Sequence, residues 1–343
     1  MSFQKIKGNS LALDILKEDF KKKRISHSYL FVGPEGIGKK MAAFAYAQLL
    51  HCKHPTLDFE PCGKCTNCKR IEENNHPDLH FIETRESLDY PLDLGQESQE
   101  KKEKSESIKI ETIKEIQHKS SLLPYESGYK VFIIDNAHNL TEEASNAFLK
   151  TLEESSADTV IILVSAQIQD LPPTIISRCK IVKFKPLAKD LLKEILINEY
   201  KVDPDEAHFL ACFSEGRLGF ALRIRKHPLI IHRYQVLEGF LNRSKMLVST
   251  GLEEKQSLRL VLWLLLYWFR DLYIIKLQPQ TEELVYRERR NQLLKIRGYF
   301  SSPDNIESIL RKLISAIEYL EKNVNHKLLL ANIKSWIWQD SYY

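Results

Sequence analysis

The segment Gly33-Pro34-Glu35-Gly36-Ile37-Gly38-Lys39 has the composition of a phosphate-binding loop. Glycines such as Gly33, Gly36 and Gly38 let successive backbone N–H groups approach phosphate oxygens, and Lys39 can reach the outer phosphates. Apolar residues precede the segment and an alanine- and leucine-rich run follows it, which is the strand, loop and helix order of this motif. The segment therefore predicts a site able to hold ATP or ADP.

Two of the residues that hydrolysis requires are replaced. Lys40 follows the loop lysine, where Ser or Thr normally ligates Mg²⁺; an ammonium group has no acceptor and repels a cation. Asp135 ends an apolar run and is placed to bind Mg²⁺, but Asn136 follows it, where a glutamate would position the attacking water. Lys40 and Asp135 remain candidate nucleotide-binding residues. We expect ATP hydrolysis by this chain alone to be weak or absent.

Four cysteines are spaced like the ligands of a zinc ion. They form the pattern Cys52-x9-Cys62-x2-Cys65-x2-Cys68, whose soft ligands and tight steps suit tetrahedral Zn²⁺. Four thiolates leave no open position for water, so the predicted zinc is structural. A buried or redox-active group of thiols is the alternative interpretation.

Three short apolar runs predict the strands that position these residues: 29–32, 130–135 and 159–165. Continuously apolar strands that alternate with helices indicate a parallel sheet covered on both faces, an α/β fold. Thr141 is placed to cap a helix between the second and third runs. After Pro186 the pattern becomes helical throughout.

The predicted organisation has three domains. A P-loop domain, residues 1–186, contains the parallel sheet, a zinc insert at 52–68 and a charged surface insertion at 86–107. A small helical lid at 187–228 follows, and an all-helical domain at 229–343 is assigned to oligomerisation. Pro186 and Pro228 mark the two boundaries.

Composition narrows the class of protein. The 343 residues exceed what one core usually organises, and 43% hydrophobic and 28% charged residues are typical of a globular chain. A net charge of +4, from 50 basic and 46 acidic residues, argues against a strongly basic nucleic-acid footprint. No secretory signal is recognised at the N-terminus, and the apolar run 260–269 is too short to span a membrane. We expect a cytoplasmic protein without a membrane partner.

Several strings, taken together, resemble one protein family. They are His27 to Pro34, the four cysteines, Asn146-Ala147-Phe148-Leu149-Lys150-Thr151-Leu152-Glu153-Glu154, and Ser177-Arg178-Cys179. In this order they closely resemble the γ/τ and δ′ family of bacterial DNA polymerase III clamp-loader subunits, which are AAA+ proteins. The resemblance covers about the first two thirds of the chain; beyond that it rests on helical character and length.

The resemblance implies a role inside an assembly. Lys40 and Asn136 match the stationary δ′ type rather than the γ/τ motor type. The implied partners are γ/τ and δ chains in a ring that uses ATP to open the sliding clamp and place it on primer-template DNA. Arg178 would be an arginine finger, acting in trans on a neighbouring ATP site. The chain would then be a component of the polymerase III holoenzyme, itself neither an active ATPase nor a polymerase, with its C-terminal helices in the collar of the ring.

One further family residue is missing. The second-sensor arginine, counted from Gly216, falls at Gly219, and Arg217 and Arg223 are the nearby candidates to replace it. Three alternatives stay open: a catalytically active γ/τ-like ATPase, a P-loop nucleotide kinase, and a zinc-dependent DNA-binding module. The zinc pattern and long helical tail argue against the kinase, and the near-neutral charge argues against the DNA-binding module.

Overall fold

A computed structural model of the chain describes residues 2–84, 107–126, 128–154, 156–241 and 255–322, together with 325, 328, 329, 332, 333, 335 and 336. These residues form two compact units. The first contains the described residues up to 188 and the segment 216–220; the second contains 189–215 and the described residues from 221 onward. Apart from Ser107, the predicted charged insertion at 86–107 lies outside the described residues. The division into three domains stays a prediction.

The first unit contains a five-stranded parallel sheet, which confirms the predicted α/β class. Its spatial order is β2-β3-β4-β1-β5. The three predicted strands correspond to β1, β3 and β4, whereas β2 and β5 are the two edge strands and were not predicted. The strands are β1 (Ser28–Val32), β2 (Leu79–Ile82), β3 (Lys130–Ile134), β4 (Thr159–Ser165) and β5 (Lys180–Lys183).

Helices cover both faces of this sheet, and two hydrophobic cores result. Alternate side chains of β1, such as Tyr29 and Phe31, pack on one face with α1, α2 and α3, while Leu30 packs on the other with α4, α5 and α6. Burial on both faces explains why the central strands are continuously apolar. The helices are α1 (Ser10–Lys21), α2 (Lys39–His51), α3 (Thr66–Glu72), α4 (Ile110–Ser120), α5 (Glu142–Glu154) and α6 (Pro173–Ile176).

The described part of the second unit is helical, as predicted. The apolar run 260–269 lies within α12 and is largely buried, and Trp268 packs edge-on against Tyr286 at 5.3 Å between ring centroids. Among the described residues no helix has the length and apolarity to cross a membrane. The helices are α7 (Lys189–Asn198), α8 (Pro204–Phe213), α9 (Leu218–Ile224, beginning in the first unit), α10 (Pro228–Ile231), α11 (Arg233–Leu241), α12 (Lys255–Leu277), α13 (Arg290–Ile296) and α14 (Pro303–Glu321).

A buried polar network fixes β1 within the first unit. The Tyr29 hydroxyl accepts the backbone N–H of Ser26 at 3.0 Å, donates to Asp19 at 2.9 Å and lies 3.0 Å from the Tyr46 hydroxyl. Lys180 of β5 contacts both Asp19 oxygens at 2.6 Å. The network therefore ties β1 to α1, α2 and β5. Because β1 leads into the glycine loop, it also fixes where that loop begins.

We expect Tyr29→Phe to lower the free energy of unfolding by about 1–3 kcal/mol, because a partly buried N–H and a buried carboxylate each lose a partner. Urea denaturation measures the change. Tyr125→Phe is the matched control, since Tyr125 is 83% exposed and its ring leaves the network untouched. Equal stability of the two variants would contradict this account of β1.

Candidate functional site

The glycine loop has the backbone conformation that phosphate binding requires. It connects β1 to α2, and Gly33, Gly36 and Gly38 have φ values of 148°, 75° and 99°. A Cβ at Gly33 would lie 2.4 Å from the carbonyl oxygen of Phe184, so a side chain there is excluded. The first residue of α2, Lys39, follows directly. The strand, loop and helix predicted from the sequence are therefore present.

Lys39 is 6% exposed and is folded back over the loop. Its ammonium group donates to the carbonyl oxygens of Gly33 and Pro34, the latter at 2.7 Å. Burial lowers the pKa of Lys39 to about 8, against the opposing charges of Glu35 and Asp135. A phosphate could replace these carbonyls as the partner of the ammonium group, so the loop and Lys39 together fit the outer phosphates of a nucleotide.

Lys40 provides the positive charge at the position expected for Mg²⁺. Its ammonium group makes a short contact with Glu83 Oε1, lies 3.7 Å from Asp135 Oδ2 and lies 4.5 Å from the centre of the Phe81 ring. It therefore neutralises the two carboxylates that could otherwise ligate a cation. The residues present do not fit Mg²⁺ in the usual arrangement, in which a hydroxyl replaces this ammonium group.

Asp135 and Asn136 follow β3 beside the glycine loop. Burial raises the pKa of Asp135, while the Lys40 charge and the Asn136 N–H, which donates to Asp135 Oδ1 at 3.0 Å, oppose that rise. Asn136 is 8% exposed and has a left-handed backbone, with φ of 52°. Its amide replaces the carboxylate that could accept a proton from water. The structure thus brings Lys39, Lys40 and Asp135 together, and their role in nucleotide binding stays a prediction.

The segment 216–220 lies directly on the loop. The Gly219 N–H donates to the Gly36 carbonyl at 2.7 Å, and a Cβ on Gly36 would lie 2.7 Å from the backbone nitrogen of Phe220. Gly219 therefore makes a close backbone contact at the position where the resemblance implies a second-sensor arginine. Arg217 is buried and stacks on the Phe220 ring at 4.5 Å, whereas Arg223 belongs to the second unit.

The four cysteines form one cluster. Their sulfur atoms all lie within 4.8 Å of one another, and the sulfurs of Cys62 and Cys68 are 3.9 Å apart. Four sulfurs about 2.3 Å from a central Zn²⁺ are separated by about 3.8 Å, so this spacing fits a tetrahedral site. Burial raises the pKa of Cys62, but N–H groups of Lys64 and Cys65 outweigh it and lower that pKa to about 6. The spacing of the four sulfurs allows Cys52, Cys62, Cys65 and Cys68 to hold a zinc ion.

Arg178 lies at the other end of the sheet. Its carbonyl accepts the hydroxyl of Ser28, the first residue of β1, at 2.5 Å, whereas the glycine loop follows Val32, the last residue of β1. Four strand steps of about 3.3 Å separate these ends by about 13 Å. The guanidinium of Arg178 is bonded to Glu153 and to the Thr174 carbonyl. The structure therefore does not bring Arg178 together with Lys39, Lys40 and Asp135.

Two acidic residues at these sites were not singled out from the sequence. Glu83 pairs with Lys40, and it comes directly after the edge strand β2, which was not predicted. In the sequence, Glu83 could have been recognised as an acidic residue directly after a short apolar run. Glu153 pairs with Arg178 and lies inside one of the strings that carry the family resemblance, but no role follows from its position in the sequence.

Comparisons with known proteins agree with this architecture. A family model described as DNA polymerase III, delta subunit, matches residues 8–188, more than half of the chain. DNA polymerase III subunit delta' of Bacillus subtilis (strain 168) is 30% identical over 332 residues, which are 94% of this chain and 93% of that protein. The chain belongs to the DNA polymerase III delta' family of clamp-loader subunits. This match argues against the two alternatives of a P-loop nucleotide kinase and an isolated DNA-binding module.

A further relative and a solved structure match the chain to different extents. DNA polymerase III subunit tau of B. subtilis is 30% identical over 65% of this chain and 37% of its own length. A solved structure of a DNA polymerase III gamma subunit-related protein from Thermotoga maritima aligns with 96% of this chain and 99% of that chain, at 19% identity and a TM-score of 0.45.

We expect the melting temperature of this clamp-loader subunit to be unaffected by millimolar MgCl₂, because Lys40 already neutralises Glu83 and Asp135. Lys40→Thr removes the ammonium group and leaves two facing carboxylates beside a hydroxyl. Mg²⁺ should then raise its melting temperature by about 2–4 °C, as a ligand that binds only the folded state does. Adding Asp135→Asn to Lys40→Thr is the control and should abolish the response. An equal Mg²⁺ response of wild type and Lys40→Thr would contradict the assignment.

Proposed function

We propose that this chain is the member of the clamp-loader ring that does not hydrolyse ATP and instead supplies Arg178 to the ATP site of a neighbouring subunit. The observation that carries the proposal is the position of Arg178, at the end of β1 opposite its own glycine loop. An arginine that acts on phosphate from this position must act on a nucleotide bound to another chain.

The charge distribution at the chain's own loop supports the first half of the proposal. Hydrolysis requires Mg²⁺ to neutralise developing charge and a group that positions the attacking water and accepts its proton, which an amide cannot do. Here an ammonium group pairs with Asp135 and Glu83, and Asn136 is held in a tight backbone turn after β3. Lys39 and the loop can still hold phosphates. Binding of ATP or ADP is thus compatible with absent hydrolysis.

The chemistry of Arg178 supports the second half. A guanidinium brought to a transferring phosphoryl group stabilises the negative charge that develops there, and such fingers act in trans in other P-loop systems. The proposed neighbour is a γ/τ chain that binds ATP and Mg²⁺. A δ chain completes the ring, which opens the sliding clamp and places it on primer-template DNA. The proposed location of this replication complex is the cytoplasm.

The helical part of the chain fits the assembly role. We assign residues 187–228 to a lid and residues 229–343 to the collar through which subunits associate. Trp268 belongs to the core of its own helices, so it does not serve as a contact residue. Exposed side chains such as Ile314 and Tyr319, on α14, are available to partner subunits.

Replacing Arg178 with alanine should strongly slow ATP hydrolysis at a neighbouring subunit while leaving the ring assembled. The sharpest test uses a ring whose γ/τ chains carry alanine at their own corresponding arginine, so that ATP turnover depends on this chain; we call it the single-finger ring. Arg178→Ala should lower its clamp- and DNA-stimulated turnover by about 10³-fold. Arg70→Ala is the matched control, because Arg70 is also a surface arginine paired with a glutamate, Glu126.

Size-exclusion chromatography establishes that each ring is complete. Turnover by the Arg178→Ala ring that equals wild type would contradict the trans role. Mg²⁺-dependent hydrolysis by the isolated chain at the rate of a γ/τ chain would instead favour the active-ATPase alternative.

We also propose that the cysteine cluster holds one structural Zn²⁺, which joins the end of α2 to α3. The chain as purified should contain one zinc per molecule by elemental analysis. Cys65→Ser should lose most of the metal and lower the melting temperature, because the metal crosslinks two segments of the first unit. Cys179→Ser, a change outside the cluster, should keep full zinc content. Equal zinc content in both variants would contradict the site.

A further inference from the structure

The guanidinium of Arg178 is held by acceptors from two different helices. Its Nε donates to Glu153 Oε1 at 2.6 Å, and its Nη2 makes a second, shorter contact with the same oxygen. Nη1 donates to the carbonyl of Thr174, in α6, at 2.9 Å. Glu153 belongs to α5. One long polar side chain is therefore fixed along both its Nε edge and one side of its tip.

The groups that hold this guanidinium are themselves fixed. The neighbouring α5 residues Phe148 and Leu152 are buried in the core of the sheet, so the helix that carries Glu153 cannot shift freely. The Arg178 backbone is tied at both ends: its N–H donates to the Ile175 carbonyl at 3.1 Å, and its carbonyl accepts the Ser28 hydroxyl. The arginine thus projects from a rigid base.

Three of the five guanidinium N–H groups point at Glu153 and Thr174, which leaves the rest of the tip available. Beyond those bonds, Nη1 makes only a long contact of 3.5 Å with the Ser177 hydroxyl. The side chain of Arg178 is 34% exposed, so its tip is accessible from outside the chain. A guanidinium held by one edge can present its other donors to a phosphate.

We propose that Glu153 is a positioning residue for Arg178. The inference rests on the trans role proposed above. A free arginine samples many rotamers, and ordering it when it meets a phosphate opposes the interaction. Glu153 removes most of that freedom before the neighbouring site forms, so the finger is present in the geometry that the transition state requires. Glu153 does not touch the nucleotide.

This role differs from that of an ordinary surface ion pair. Exposed pairs of this kind contribute little to stability, so replacing Glu153 should leave the melting temperature nearly unchanged. The effect should instead appear in the turnover number of the neighbouring site. The Michaelis constant for ATP should stay the same, because ATP is bound by the other chain.

The test uses the single-finger ring with variants at Glu153. Glu153→Ala should lower the turnover number by about 10-fold, with an unchanged Michaelis constant. Glu153→Gln keeps an acceptor oxygen for Nε–H and should retain a larger share of the rate. Glu154→Gln is the matched control: Glu154 is the next residue of the same helix, 4.0 Å from Lys150, and should have no effect.

A double variant separates positioning from a general structural effect. In an Arg178→Ala background, Glu153→Ala should cause no further loss, because it acts only through Arg178. A further loss there would overturn the inference. Wild-type turnover by Glu153→Ala, in a ring that Arg178→Ala inactivates, would overturn it too while leaving the trans role intact. Full activity of the Arg178→Ala ring would overturn the trans role itself.

Discussion

The parallel direction of the sheet is the constraint on which the rest of this account depends. The two ends of β1, Ser28 and Val32, lie next to different functional groups. The carboxyl end leads through the glycine loop to Lys40, which lies 3.7 Å from Asp135, whereas the amino end is bonded to Arg178. A parallel sheet collects loops at one edge and strand starts at the other, so these groups cannot meet within one chain. The separation is what makes a trans role for Arg178 physically reasonable.

At the carboxyl edge, a single substitution changes the electrostatics of the whole site. The ammonium group of Lys40 is covalently attached, so it neutralises Glu83 and Asp135 permanently and cannot leave or bind with a nucleotide as a metal ion does. It has only donors, whereas Mg²⁺ accepts oxygen ligands from water and phosphate together. The loop has the shape of a nucleotide site, but its charges do not fit the Mg²⁺ ion that hydrolysis requires.

The sequence predicted the centre of the fold better than its edges. The strands β1, β3 and β4 are buried on both faces, and this produces the apolar runs that were recognised. The edge strands β2 and β5 have only four residues each, and β5 has just two apolar residues between two lysines, so neither has a distinctive pattern. The glycine loop and the cysteines were found because their spacing is local.

The sequence pattern could not predict contacts between segments that are distant along the chain. Glu83 meets Lys40 only because β2 pairs with β3, and Glu153 meets Arg178 only because α5 and α6 end at the same edge. The sequence gives residue types at each position, but these pairings follow from the order of strands in the sheet. The second-sensor position is similar: Gly219 was recognised as a departure, while its close contact with Gly36 emerged only from the fold.

A cryo-electron microscopy structure of the assembled ring with ADP, Mg²⁺ and beryllium fluoride tests the central claim most directly. We expect the Arg178 guanidinium within hydrogen-bonding distance of the fluoride at the neighbouring subunit, with Lys40 still paired with Glu83 and Asp135. This expectation would be contradicted by Mg²⁺ and beryllium fluoride bound at this chain's own loop while Arg178 faces solvent.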